Sequence, residues 1–154
     1  MMLAGIGALF GYYAAHDYDD AERAVRRDGG GPTGTGYDQF VVKGMDPVVE
    51  LLPAEVLLTG RSAEAVEADP RHGGLIATAG DGEVISVSLT DAFRDSLAVS
   101  GPEQLDPVAR AWCGSDVFAA PPGPEALAEF LDALAALARR AVAHDRRLYG
   151  WISP

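Results

Sequence analysis

The chain predicts an α+β fold, a small mixed β-sheet flanked by helices, with a long amphipathic C-terminal helix followed by a terminal strand. Three observations carry this. Leu127, Phe130, Leu131, Leu134, Leu137, Ala138, Ala141 and Val142 repeat at helical spacing after Pro124. Two β-prone runs, Leu75–Ala79 and Glu83–Ser88, flank Gly80-Asp81-Gly82, the composition of a hairpin turn. Apolar, aromatic-bearing runs stand at both ends, Met2–Tyr13 and Arg147–Ile152.

Taken in order, Met2–Tyr13 reads as a core strand. Asp17, Asp19 and Asp20 then precede Ala21–Arg27, where acids at the start and arginines at the end match a short helix's dipole. Residues 28–36, with five glycines and a proline, read as a loop. Phe40-Val41-Val42 is a short strand. Asp46-Pro47 opens a helix as N-cap and first residue, and Gly60 closes it. Pro53 lies inside that run and is expected to kink it or split it into two short turns. Short helices follow over Ser62–Ala68, over Asp91–Ala98 with Thr90 as cap, and from Pro102 to Trp112. In the long helix Glu125, Glu129 and Asp132 occupy the first half and Arg139 and Arg140 the last turns, with His144 as a capping residue. Along the terminal strand Tyr149 and Trp151 share one face while Leu148 and Ile152 take the other. Both faces are therefore apolar, and the strand is expected to be covered on both sides.

The length of 154 residues is that of one domain, here residues 1–154. With 48% hydrophobic and 23% charged residues the composition is that of an ordinary globular chain. A formal net charge of −11 repels phosphate backbones and anionic lipid. It argues against nucleic-acid and membrane-surface binding and favours a basic protein partner, a cation, or simply solubility. The acidic excess is spread over both halves of the chain, and Lys43 is the only lysine. The single cysteine, Cys113, excludes an intramolecular disulfide and reads as a small buried hydrophobe. The first 15 residues are apolar but lack a basic n-region and are too short to span a bilayer, so the expected location is the cytoplasm.

The densest set of potential metal ligands is His16, Asp17, Asp19 and Asp20, whose imidazole and carboxylates suit Mg²⁺, Mn²⁺ or Ca²⁺. The plainer expectation is an acidic helix N-terminus with a histidine at its edge. Gly29, Gly31 and Gly34 match the spacing of a dinucleotide fingerprint, but a helix precedes them and Pro32 interrupts them, where that chemistry needs a strand before and a helix after. No Gly-Lys-Ser/Thr and no Gly-x-Ser-x-Gly occurs. His72 reads as an exposed turn residue. No catalytic residue and no cofactor is assigned.

Several segments resemble the YfbM-like family of small bacterial proteins. They are Phe10-Gly11-Tyr12-Tyr13-Ala14, the stretch from Asp46 through Leu57-Leu58-Thr59-Gly60, Leu89-Thr90-Asp91 opening a helix, and Leu127–Val142 running into Leu148–Ile152. The resemblance implies an α+β domain and transfers no activity. Members carry an aromatic and histidine pair in the helix ending Leu-Leu-Thr-Gly. Here Val48, Val49, Glu50 and Pro53 stand in that segment, so no family site is carried over.

The leading functional expectation is a non-enzymatic interaction protein, of immunity or regulatory type, that meets a basic partner through its acidic surface. One alternative is a divalent-metal-dependent hydrolase or small-ligand enzyme built on His16, Asp17, Asp19 and Asp20. Another is a structural homo-oligomer subunit, such as a homodimer, with Tyr149 and Trp151 at its interface.

Overall fold

A computed structural model describes residues 9–26, 37–79, 84–118, 120 and 122–153. Its elements run β1 (Leu9–Ala15), α1 (Tyr18–Arg26), β2 (Gln39–Lys43), α2 (Leu52–Thr59), α3 (Ala63–Ala68), β3 (Leu75–Ala79), β4 (Val84–Ser88), α4 (Asp91–Ala98), α5 (Pro102–Cys113), α6 (Pro124–Ala143) and β5 (Arg147–Ser153). The five strands form one sheet in the order β2-β1-β5-β4-β3. The fold is α+β, as expected, but the sheet is antiparallel at every pairing and not mixed. The reason is the place of β5, which runs opposite to both β1 and β4 and fits between them.

The sheet is packed on both faces. Phe10, Tyr12, Ala14, Leu148 and Ile152 face α4, α5 and α6, in a core that includes Phe93, Leu97, Leu105, Trp112, Leu131 and Leu134. Tyr13, Ala15, Tyr149 and Trp151 point the other way, into a smaller core with Ala21, Ala24 and Val25 of α1. The two-sided cover expected for β5 is therefore present. It also corrects the interface expectation. Tyr149 is 0% and Trp151 2% exposed within this one chain, so α1 already occupies the face they would offer to a second copy.

Two glycines make the packing across β1 and β5 possible. Gly11 pairs directly with Trp151, and a Cβ built on Gly11 would lie 2.0 Å from the indole Cε2. The indole thus lies across the bare backbone of β1. On the opposite face a Cβ on Gly150 would lie 3.0 Å from Cβ of Pro47. That notch lets the buried Pro47 approach the sheet.

The described elements differ from the expected ones in three respects. The first strand continues to Ala15, while residues 2–8 of its expected span lie outside the described residues. The helix expected from Asp46 is instead a pair of elements: residues 47–51 form turns, and α2 begins at Leu52. Pro53 falls in the first turn of α2, where its missing N–H has no intrahelical partner to lose, so it starts the helix and kinks nothing. Val142, grouped by spacing with the buried stripe of α6, is 47% exposed because it falls in the last turn of the helix. The glycine-rich loop at 28–36 and the Gly80-Asp81-Gly82 turn lie outside the described residues. Among the described residues no helix is long and apolar enough to cross a membrane.

Candidate functional site

The turn that replaces the start of the expected helix builds one wall of a largely apolar pocket. Asp46 caps it: one carboxylate oxygen accepts the N–H groups of Val48 and Val49 at 2.6 and 2.8 Å. Glu50 returns the bond, its Oε1 accepting the N–H of Asp46 at 2.8 Å. Two buried aromatic side chains fix the backbone on either side. The Tyr12 hydroxyl donates to the Met45 carbonyl at 2.6 Å, and Trp112 Nε1 donates to the Glu50 carbonyl at 2.8 Å. With Pro47 seated in the Gly150 notch, the turn is anchored from three directions.

Between this turn, the end of β2 and the first turns of α6 lies a half-open pocket of about 370 Å³. Its apolar walls come from Val42, Met45, Phe118, Leu127 and Phe130, with Lys43 and Glu50 as the charged lining groups. Phe130 is itself held by an edge contact with Tyr12 and another with Phe40, with ring centroids 5.3 and 5.9 Å apart. A largely apolar cavity of this size, with a few polar groups, is the usual form of a small-molecule site. Burial raises the Glu50 carboxyl above its ordinary range; the Asp46 N–H bond works against this, and the neighbouring Asp46 charge adds to it. Lys43 is exposed and has no ion-pair partner among the described residues.

The sign of the Glu50 shift fixes a pH effect. The folded chain holds this proton more tightly than the unfolded one. Stability from this group is therefore fully present below the ordinary carboxyl value and lost as pH rises through the raised one. Replacing Glu50 by glutamine keeps an acceptor for the Asp46 N–H. Relative to wild type, Glu50→Gln should gain stability as pH climbs from about 4 to 7. Urea unfolding across that range would read this, and a parallel pair of profiles would remove the assignment.

The expected metal set does not assemble. Asp17 is the N-cap of α1, accepting the Asp20 N–H at 2.9 Å, and the Asp20 carboxylate accepts the N–H of the preceding His16 at 2.9 Å. The Tyr37 hydroxyl also donates to Asp20, at 2.7 Å. Burial pushes the Asp20 carboxyl up, but the His16 N–H, the Tyr37 hydroxyl and Arg23 outweigh it and hold the group below its ordinary value. Asp19 points to solvent. Among the described residues no group of three or more His, Cys, Asp or Glu side chains is placed to hold a metal ion. His16 and Asp17 instead line a polar depression of about 390 Å³ with Asp91, Arg94, Asp145 and Arg147. Within it Arg147 lies 3.5 Å from Asp91, and Arg94 donates to the Arg146 carbonyl at 2.9 Å.

Of the remaining residues singled out by sequence, His144 is the C-cap of α6, donating its N–H to the Arg140 and Ala141 carbonyls. Cys113 is half-buried and donates its thiol to the Pro122 carbonyl at 3.2 Å. The residues that sequence reasoning missed are Lys43 and Glu50. The available signal was Glu50 itself, a single charge within Val48-Val49-Glu50-Leu51-Leu52. No family model matches the chain, and neither a curated protein nor a solved structure matches it.

Proposed function

We propose that the chain is a non-enzymatic binding protein whose ligand sits in the pocket framed by β2, the Pro47 turn and the start of α6. The single observation that carries this reading is that the frame is tied to the buried core. Tyr12 and Trp112 each donate a buried hydrogen bond to the backbone that presents Met45 and Glu50. Fixing a site before the ligand arrives lowers the ordering cost of binding. The reading keeps the non-enzymatic expectation but replaces the basic partner protein with a small molecule, because the apolar walls surround a volume suited to one compact apolar group. Kinship with the YfbM-like family belongs to the same proposal and contributes no activity to it.

The test uses a neutral probe. Titration with 2-phenylethanol, followed by methyl NMR, should give saturable shifts at Met45, Val42 and Leu127. Ala126 lies exposed at the lining, so Ala126→Trp should cover the opening without disturbing the core and weaken binding by about tenfold or more, roughly 1.4 kcal/mol. Shifts scattered over the surface, or an unchanged affinity in the variant, would refute the pocket.

A further inference from the structure

Two charges of opposite sign are unspent at the same apolar cavity. Glu50, which lines the cavity, commits Oε1 to the Asp46 N–H and has a second carboxylate oxygen that can accept. Lys43, also part of the lining, has no ion-pair partner among the described residues. The two make no ion pair with each other. The first turn of α6, which contributes Ala126 and Leu127 to the lining, starts at a Gly123 N-cap that offers no side-chain acceptor. Its free N–H groups add to the positive potential supplied by Lys43. Resting on the pocket assignment above, we infer that the site takes a small amphoteric molecule with an apolar body: a free α-amino acid with a large apolar side chain, its ammonium on Glu50 and its carboxylate on Lys43.

The chemistry favours this class over singly charged alternatives. A purely cationic ligand would satisfy Glu50 but bring a like charge to Lys43. A purely anionic one would meet the raised-pKa carboxyl and the net −11 field of the chain. A zwitterion pairs both groups and keeps the net charge of the site unchanged, so the part-buried Glu50 gains a partner and each charge of the ligand meets its opposite. The walls of Val42, Met45, Phe118, Leu127 and Phe130 suit a branched or aromatic side chain. Raising the Glu50 pKa by burial also makes that carboxyl a stronger partner for an ammonium once both are ionised, since the same desolvation that disfavours the lone charge strengthens the pair.

The experiment compares three probes with the same phenylethyl body on the full chain by the same methyl NMR titration: L-phenylalanine, 2-phenylethylamine and 3-phenylpropionate. L-Phenylalanine should bind about tenfold more tightly than either single-charge analogue, the worth of one charge-assisted contact. Glu50→Gln should erase its advantage over 3-phenylpropionate, and Lys43→Met its advantage over 2-phenylethylamine. Because Lys43 is exposed, the second variant probes the idea without touching the fold. If all three probes bind alike, or as well as 2-phenylethanol does, the amphoteric assignment is overturned while the pocket stands. If none of the four probes shifts the pocket methyls, both readings fall together.

Discussion

Gly11→Ala is expected to destabilise the chain by about 3–5 kcal/mol, a large share of the total stability of an ordinary domain. The added methyl would sit 2.0 Å from the Trp151 ring. No rotamer adjustment of a few tenths of an ångström removes an overlap that large, so either the indole leaves its site or the β1–β5 register opens. The first costs about what truncating a buried tryptophan costs; the second breaks the centre of the sheet. A double-mutant cycle distinguishes this from a general dislike of alanine in the strand. In a Trp151→Ala background the glycine substitution should cost little, giving a coupling of several kcal/mol between directly opposed residues. A cost below about 1 kcal/mol in the wild-type background would mean that the indole does not cross β1 at this point.

The second large effect is expected at Glu55. This carboxylate is 4% exposed and joins three helices. It accepts the Thr90 hydroxyl at 2.6 Å and lies 3.3 Å from Arg61, which is itself 3.3 Å from Asp69 at the end of α3. Thr90 uses the same hydroxyl oxygen to accept the Phe93 N–H and cap α4. Glu55→Ala removes the anion, strands the Thr90 proton in the interior, and leaves Arg61 with Asp69 alone. Truncating one member of a buried, hydrogen-bonded pair costs about 3–5 kcal/mol, and the residual Arg61–Asp69 contact places this case near the lower figure. Glu55→Gln keeps an acceptor for Thr90 and should cost about half as much. Urea unfolding of the two variants checks the order. Equal losses, or losses below about 1 kcal/mol, would show that the carboxylate is not what ties α2 to α4.

Both sites show where sequence reading reached and where it stopped. The elements were legible because their signals are local: Thr90 before α4, Gly60 after α2, helical spacing along α6, and acids and arginines arranged along helix dipoles. The two-sided cover of β5 was legible too, since alternating residues on both its faces are apolar. What failed was each statement that depended on which residues meet across the fold. Tyr149 and Trp151 looked available for a partner because nothing local shows that α1 lies over them. His16, Asp17, Asp19 and Asp20 looked like ligands because adjacency in sequence resembles convergence in space. Two of the three acids there are occupied with backbone N–H groups. The antiparallel sense of the sheet was hidden for the same reason, since strand order follows from long-range pairing. Glu50 and Lys43 were passed over because a pocket wall assembled from β2, a turn and α6 leaves no short motif. Its nearest local trace was an acid within an apolar run.

The position of β5 between β1 and β4 has a kinetic consequence. Without it the sheet separates into the β2–β1 pair and the β3–β4 hairpin, each two strands wide and marginal in isolation. Completing the sheet requires partners such as Ala15 and Arg147 to find one another across nearly the whole described chain. The loop-closure entropy falls due before most of the stabilising contacts exist. Helices α4, α5 and α6, whose contacts are nearer in sequence, can associate earlier, but the platform that carries Glu50 cannot, since Pro47 rests on Gly150. The pocket is therefore expected to form only when the central strand closes the sheet.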